Sequence, residues 1–152
     1  MHEHFRALAI HQAKLHKRVL DAWGPTPDPV QAAGLVEALV HDGLWLTKFP
    51  LLFTPTFDVK RLARLERTWQ TEAPGPGLAD EVAALTPLVD ADVLRFVLKL
   101  TPGDLEGRIE IFWGGRALNK PLWQYLATWF EHDAVLRGRL ALSSGLLNTV
   151  FD

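Results

Sequence analysis

Six histidines give this chain its main capacity for acid–base or metal chemistry. They are His2, His4, His11, His16, His41 and His132. A metal site needs imidazoles and carboxylates that converge on one point, often from helix positions three or four residues apart. Glu37 and His41 have that spacing, and Glu131 and Asp133 flank His132, but neither set is a recognised metal motif. The sequence therefore predicts structural histidines, no metal site and no catalytic residue.

Asp42 is an acid placed inside the most apolar segment of the chain. A buried carboxylate must be paired or hydrogen-bonded, or its pKa rises. Its neighbour Gly43 has no side chain and lets a ligand approach closely, while Trp45 offers an apolar wall with one N–H donor. If the chain binds a small molecule, we expect the site at Asp42, Gly43, Trp45 and His41. The alternative is that Asp42 pairs with a lysine or arginine, or faces solvent, and that Gly43 only packs.

Two segments are too apolar to be exposed along one side only. Residues 36–46 are apolar nearly all round a helix, and residues 122–130 are rich in tryptophan. Obligate homodimer interfaces are typically large and apolar. We therefore expect a homodimer, and four residues are predicted at its interface: Leu39, Leu46, Trp123 and Trp129. The alternative is that most of the six tryptophans simply fill the core.

Composition excludes several classes of protein. The 152 residues include no cysteine, which rules out disulfides, thiolate metal sites and a cysteine nucleophile. With 16 basic and 18 acidic residues the net charge is -2, so we expect no direct binding of nucleic acid. No apolar run reaches about 18 residues and the N-terminus is unlike a signal peptide, so we expect a cytoplasmic protein without a membrane span. Phosphate-loop and dinucleotide fingerprints are absent, so we expect no cofactor.

Hydrophobic spacing predicts helices in the first half of the chain. Apolar residues over 5–23 recur at intervals of mostly three, four and seven. Asp28 and Pro29 have the residue types of an N-cap and a first helical position, so a second helix is expected from there to about Leu46. Residues 58–69 carry an amphipathic pattern that predicts a third helix.

A cluster of proline and glycine at residues 73–77 predicts a linker, because no helix or central strand is expected to cross it. The linker divides a single domain into a helical half, residues 1–72, and a second half, residues 78–152. Residues 78–89 look helical although they contain Pro87.

The second half of the chain has two possible structures. Residues 93–100 and 108–113 each alternate in polarity like strands, and each can also be spaced as a helix. We therefore predict an all-α fold, a compact helical bundle, and keep an α+β fold with a β-hairpin around residues 93–113 as the alternative. Residues 101–106 have the residue types of a helix start, with Thr101 as the cap and an acid three residues later. Asn119 is expected to cap a helix over residues 121–131.

One run in the second predicted helix carries a family resemblance. Residues 34–46 read Gly-Leu-Val-Glu-Ala-Leu-Val-His-Asp-Gly-Leu-Trp-Leu. This run resembles the C-terminal domain of TetR-family transcriptional regulators, in which a small-residue helix often contains a similar Asp-Gly-Leu-Trp-Leu stretch. The similarity covers about residues 4–70, and the family's DNA-reading helix-turn-helix is absent from it. The resemblance implies an effector-binding and dimerisation domain separate from its DNA reader.

These observations support three functional hypotheses. The first is a non-enzymatic homodimeric helical domain that resembles the effector-binding part of a TetR-type regulator and binds a small apolar ligand. The second is a standalone protein–protein interaction or structural protein that uses the tryptophan-rich second half. The third, and weakest, is an enzyme that uses His41, Asp42 and His11. A pocket with convergent polar groups favours the first, and a perturbed acid–base pair inside that pocket favours the third.

Overall fold

The computed structural model describes residues 1–23, 28–71 and 76–144. In chain order the elements are α1 (His2–Asp21), α2 (Pro29–Leu46), α3 (Val59–Thr71), α4 (Pro76–Lys99), α5 (Pro102–Glu106), β1 (Arg108–Trp113), β2 (Arg116–Pro121) and α6 (Leu122–Ser144). This part of the chain is predominantly helical and carries one small two-stranded sheet. The predominantly helical character is confirmed, and the hairpin agrees with the α+β alternative rather than with a purely all-α fold. Among the described helices, none combines the length and the apolar character needed to cross a membrane.

Four long helices surround the core. α1 packs against α4 and α6, and α2 packs against the same two helices, so the four form a closed ring of neighbours. α3 lies against α2 and α4. α2 has apolar residues nearly all round it, and it buries them against α3, α4 and α6. The two halves of the chain therefore pack against each other. α4 already begins at Pro76, inside the predicted linker, and residues 73–75 lie outside the described residues.

Two helix starts confirm the predictions made from local residue types. Asp28 is the N-cap of α2, where its carboxylate accepts a hydrogen bond of 2.7 Å from the backbone N–H of Val30. Thr101 caps α5 in a capping box: its hydroxyl accepts from the N–H of Asp104 at 3.1 Å, and the Asp104 carboxylate accepts from the N–H of Thr101 at 2.8 Å. Both devices satisfy N–H groups that the first turn of a helix leaves free.

α4 is one continuous helix through Pro87 and up to Lys99, so it includes all but the last residue of the segment 93–100. The strand interpretation of this segment is therefore wrong. Val93, Phe96 and Val97 are buried, which is the three- and four-residue spacing of a helix face. The apparent alternation arose because the segment has more apolar residues than one helical stripe requires.

The β-hairpin joins β1 to β2 rather than to the segment before α5. The strands are antiparallel, with Trp113 opposite Arg116. Gly114 and Gly115 form the two-residue turn with φ of 59° and 77°. Positive φ at both positions is what a type I′ turn requires, and glycine adopts it without strain. The alternative of a strand over 108–113 is confirmed, and the partner that the alternative gave it, residues 93–100, is wrong.

The start of α6 also differs from the prediction. Asn119, expected as a helix cap, lies in β2 opposite Glu110. α6 begins at Leu122 and continues as a helix to Ser144, beyond the predicted end at residue 131. The remaining residues of the tail lie outside the described part of the chain.

The loop between α2 and α3 is fastened to α4 by the Asp92 carboxylate, which is 1% exposed. It accepts hydrogen bonds from the N–H and the hydroxyl of Thr56, each at 2.7 Å, and from the N–H of Phe57 at 3.3 Å. Arg95 donates to Asp92 and, at 3.0 Å, to the Thr56 hydroxyl oxygen. This contact fixes the approach of α3, which in turn packs on α2.

Candidate functional site

A buried polar cluster lies inside the ring of four helices. Its members are Gln12 and His16 from α1, Asp42 from α2, Asp90 from α4, and Asp133 and Arg137 from α6, all of them buried. Groups of this kind are costly to bury unless they are paired or hydrogen-bonded. Three carboxyls share the cluster with one guanidinium and one imidazole. The arrangement of protons among them therefore decides how the cluster affects stability.

Asp42 is the centre of this cluster and is 0% exposed. Trp129 donates its indole N–H to one carboxylate oxygen at 2.8 Å, and the side-chain amide of Gln12 donates to the other. The sequence offered two alternatives for Asp42, pairing with a lysine or arginine and exposure to solvent. In the described structure Asp42 forms no salt bridge with a lysine or arginine, and it is buried. Neutral donors from two other helices satisfy it instead.

Asp133 lies beside Asp42 and holds a proton more tightly than an ordinary carboxyl. Burial raises the pKa of Asp133, and the neighbouring Asp42 carboxyl raises it further, while Arg137 opposes the shift. Burial also raises the pKa of Asp42, although the hydrogen bond from Trp129 favours its charged form. Neither oxygen of Asp133 has a hydrogen-bond partner of good geometry among the described residues. A protonated Asp133 facing a charged Asp42 is the arrangement that costs least, because only one of two adjacent buried carboxyls is then ionised.

A second buried pair joins α1 to α4. The Nδ1 atom of His16 lies 2.9 Å and 3.0 Å from the two carboxylate oxygens of Asp90. Burial by itself lowers the pKa of His16, but the Coulombic attraction and the hydrogen bond of Asp90 outweigh it, so the net pKa is raised. The pair is closed to solvent on the histidine side, and it fixes α1 against α4.

Gly43 lies where α2 meets α3, and the space beside it is filled. A Cβ atom at this position would lie 2.1 Å from the Cδ2 atom of Leu62. The prediction that Gly43 opens room for a ligand therefore lacks the space it needs. Glycine is needed here because it lets α3 approach α2 closely.

Gly43→Ala is therefore expected to lower the free energy of unfolding by about 1–2 kcal/mol, because the overpacking of Leu62 exceeds the gain in helix propensity. Urea unfolding measures this change. Gly138→Ala on α6 is the matched control, since a Cβ there meets no atom within 4 Å. We expect the control to stabilise the protein by about 0.5–1 kcal/mol. Equal stabilisation by both variants would contradict the close packing of α2 and α3.

His41 and His132 bring α2 and α6 together at the edge of the cluster. Their ring centroids are 4.1 Å apart, and the Nε2 atom of His41 lies 3.8 Å from an oxygen of Asp133. Burial and the nearby His132 lower the pKa of His41 to about 4, against a smaller opposite effect of the Trp129 backbone. His41 is therefore a neutral imidazole at physiological pH.

An aromatic cleft of about 210 Å³ opens beside these two histidines. It is lined by His41, Trp45, Trp113, Leu118, Lys120, Tyr125, Thr128 and His132. An outer cleft of about 380 Å³ shares both histidines and adds Glu37, Glu66 and Trp69, among others, from α2 and α3. Mostly apolar walls with a few polar groups are the usual composition of a small-molecule site.

The β-hairpin supplies one wall of the aromatic cleft and is held in place from two sides. Tyr125 of α6 donates its hydroxyl to the carbonyl of Ile109 at 2.8 Å. Lys48, just after α2, donates to the carbonyl of Phe112 at 3.1 Å and lies 5.2 Å from the centroid of the Trp113 ring. Trp113 in turn stacks on Trp45 with centroids 4.8 Å apart. The turn geometry of the hairpin therefore determines the shape of the cleft.

Trp45 leaves an unused donor at this cleft. The residue is 5% exposed, and its indole N–H is buried without an acceptor among the described residues. Trp113 and Trp129 stack with its ring, and His41 meets it in a T-shaped contact with ring centroids 6.4 Å apart. A buried donor without a partner costs about 1–3 kcal/mol, and native proteins contain few of them.

The predicted ligand residues thus divide into two groups. His41 and Trp45 line the aromatic cleft, whereas Asp42 is sealed beneath it and Gly43 is covered by Leu62. The residues that complete the cleft were not predicted as ligand residues; they are Trp113, Leu118, Lys120, Tyr125, Thr128 and His132. Nothing in their spacing points to α2, because they come from the hairpin and from α6.

The predicted interface residues lie mostly inside the single chain. Leu39, Leu46 and Trp129 are buried in its core, so their apolar character is already accounted for without a partner. Trp123 is only partly buried and reaches the surface. The dimer interface stays a prediction, and Trp123 is the only one of the four positions that a partner could contact without rearrangement.

A larger groove, of about 590 Å³, lies between α1 and α4. Its polar groups already have partners: Asp90 bonds to His16, Lys17 pairs with Asp21 at 2.9 Å, and Thr86 donates to the carbonyl of Val82 at 2.7 Å. The groove therefore offers apolar surface and no unmet polar group to orient a ligand, in contrast to the aromatic cleft.

Comparisons with known proteins add no family to this description. Within the described residues, no group of three or more histidine or acidic side chains is placed to hold a metal ion. No protein-family model, characterised protein or solved structure matches the chain. The resemblance of residues 34–46 to TetR-family regulators therefore stays a prediction.

Proposed function

We propose that this protein is a ligand-binding helical domain whose small-molecule site is the aromatic cleft. The observation that carries the proposal is the buried, unpaired indole N–H of Trp45 at a cleft walled by aromatic rings. Binding sites are commonly apolar with a few polar groups that fix orientation, and a ligand that accepts this N–H relieves the cost of leaving it unpaired. The regulatory role and the homodimer implied by the TetR-like run remain part of this proposal.

The size of the cleft limits the ligand. Its volume of about 210 Å³ is below the range of roughly 300–1,000 Å³ that is typical of sites for drug-sized molecules. A molecule with one ring and a short substituent fits that space. A larger ligand would extend past His41 and His132 into the outer cleft.

Thr128→Phe tests the site because Thr128 lines the cleft, is exposed, and bonds only within its own helix, to the carbonyl of Gln124 at 3.2 Å. The added ring should fill the cleft without entering the core. Three one-ring probes of similar size are used: phenylacetate, 2-phenylethanol and 2-phenylethylamine. We expect calorimetry to show at least tenfold weaker binding of whichever probe binds the wild-type protein.

Ala127→Phe is the matched control for this experiment. Ala127 is the preceding residue of α6, is exposed, and does not line either cleft. It should bind the probes like the wild-type protein. The proposed function is wrong if Thr128→Phe binds every probe with wild-type affinity, or if none of the three probes binds the wild-type protein at millimolar concentration.

A further inference from the structure

Two polar groups that line the aromatic cleft can only donate, and they favour an acceptor on the ligand. The unpaired Nε2 atom of His41 lies toward Asp133 instead, at 3.8 Å from its carboxyl oxygen. The indole N–H of Trp45 can only donate, and the ammonium group of Lys120 can only donate. Within the described structure, no carboxylate lies within ion-pair distance of Lys120. The hydroxyl of Tyr125 is already used, since it donates to the Ile109 carbonyl.

The acidic groups near the cleft do not compensate for these donors. Asp42 is sealed in the core with both oxygens bonded, and Asp133 is buried beneath His41. Glu37 and Glu66 line the outer cleft, where Glu37 lies 3.8 Å from Arg139. The two clefts thus differ in electrostatic character. The aromatic cleft carries a positive charge and a free donor, whereas the outer cleft carries carboxylates.

We infer that the aromatic cleft selects a one-ring aromatic carboxylate, whose carboxylate group accepts the indole N–H of Trp45 and faces the ammonium group of Lys120. This inference rests on the proposed function and names the class of its ligand. A hydrogen bond to an ionised acceptor is roughly twice as strong as one between neutral groups, so a carboxylate gains more from the buried donor than an alcohol does. An amine offers neither group an acceptor and places its charge near Lys120.

The difference in charge between the two clefts also sets the orientation of the ligand. The aromatic ring lies among Tyr125, Trp113 and the two histidines, and the carboxylate points toward β2, which carries Lys120. A carboxylate pointing the other way would meet Glu37 and Glu66 at the outer cleft. The neutral His41 forms part of the wall between the two regions.

The same three probes test the inference. Calorimetry with the wild-type protein is expected to show affinities that decrease from phenylacetate to 2-phenylethanol to 2-phenylethylamine. The affinities of the first and the last should differ at least tenfold. Trp45→Phe keeps an aromatic ring and removes the donor, so phenylacetate should bind about tenfold more weakly. Trp123→Phe, at a partly exposed tryptophan outside the cleft, should leave its affinity unchanged.

Lys120→Gln separates the charge of the cleft from its shape. Phenylacetate should bind about threefold to fivefold more weakly and lose its dependence on salt, while 2-phenylethanol should bind as before. If Thr128→Phe abolishes binding but the amine binds as tightly as the carboxylate, the site is correct and the ligand class is wrong. The class is also wrong if Trp45→Phe and Lys120→Gln both leave the affinity for phenylacetate unchanged. Binding that is insensitive to Thr128→Phe overturns the site itself.

Discussion

Asp133→Asn is expected to be more stable than the wild-type protein, by an amount that grows as the pH rises above about 5. In the wild-type protein the buried carboxyl next to Asp42 keeps its proton, because burial and the Asp42 charge raise its pKa. The unfolded chain releases that proton near the ordinary pKa of about 4. The side-chain amide that the substitution introduces can donate to Asp42, and it carries no proton to lose. The variant therefore avoids a penalty that grows with pH.

The sign follows from proton binding in the two states. A carboxyl whose pKa is raised on folding binds more protons in the folded than in the unfolded state, so stability falls with rising pH between the two pKa values. The slope is about 1.4 kcal/mol per pH unit for one retained proton. The difference between Asp133→Asn and wild type should grow at about that rate from pH 5 upward, until the pKa of the folded protein is passed. Urea unfolding at each pH from 5 to 9 measures it.

Subtracting the free energy of unfolding of the wild-type protein from that of the variant at each pH removes the contributions of the two histidines whose pKa values are shifted. The lowered pKa of His41 makes stability rise between about pH 4 and 6.5, and the raised pKa of His16 makes it fall above about 6.5. Both contributions occur in both proteins. Asp80→Asn, at an exposed acid of α4, is the control and should give a difference near zero. A difference for Asp133→Asn that stays constant with pH would show that this carboxyl ionises normally.

Asp92→Ala is expected to lower the free energy of unfolding by about 3–4 kcal/mol. The substitution removes the acceptor for the two backbone N–H groups of Thr56 and Phe57 and for the Thr56 hydroxyl. Hydrogen bonds to charged groups contribute about 1.5–3 kcal/mol each, and buried donors left unpaired add a desolvation cost. The loop between α2 and α3 should lose its attachment to α4, which equilibrium unfolding in urea will detect as a lower midpoint.

Asp58→Ala provides the matched comparison for Asp92. Asp58 also accepts from two backbone N–H groups, those of Lys60 and Arg61 at 3.0 Å and 3.3 Å, but it is exposed. An exposed cap of this kind is worth about 1 kcal/mol. If the two variants cost the same, burial of the Asp92 carboxylate adds nothing to its hydrogen bonds.

The parts of the fold that the sequence predicts well are those set by neighbours along the chain. Asp28 with Pro29, and Thr101 with Asp104, indicate helix starts because the capping groups lie within three residues of the N–H groups they satisfy. The apolar character of α2 likewise predicts its burial. Each of these signals is contained in one short segment and does not depend on the rest of the fold.

The parts of the fold that the sequence predicts badly are those that depend on pairing between residues far apart in the chain. Residues 108–113 fit a strand as well as a helix, alternation in residues 93–100 offers a false partner, and the Gly114–Gly115 turn joins the strand to the true one. His41 and His132 meet across α2 and α6, as His16 and Asp90 meet across α1 and α4. No local pattern indicates such contacts. The sequence therefore points to His41 and Trp45, which line the cleft, but not to the residues that form its other walls.

The bonds of Asp42 determine how the helices are aligned as well as how tightly they pack. A buried polar residue can fix the register in which helices pack, because a shifted packing leaves it without partners. A slide of one helical turn, about 5.4 Å, would take Asp42 away from Gln12 on α1 and from Trp129 on α6. The carboxylate would then be buried without donors, which is strongly unfavourable. One polar residue thus disfavours shifted packings, and it sets the register of three helices at once.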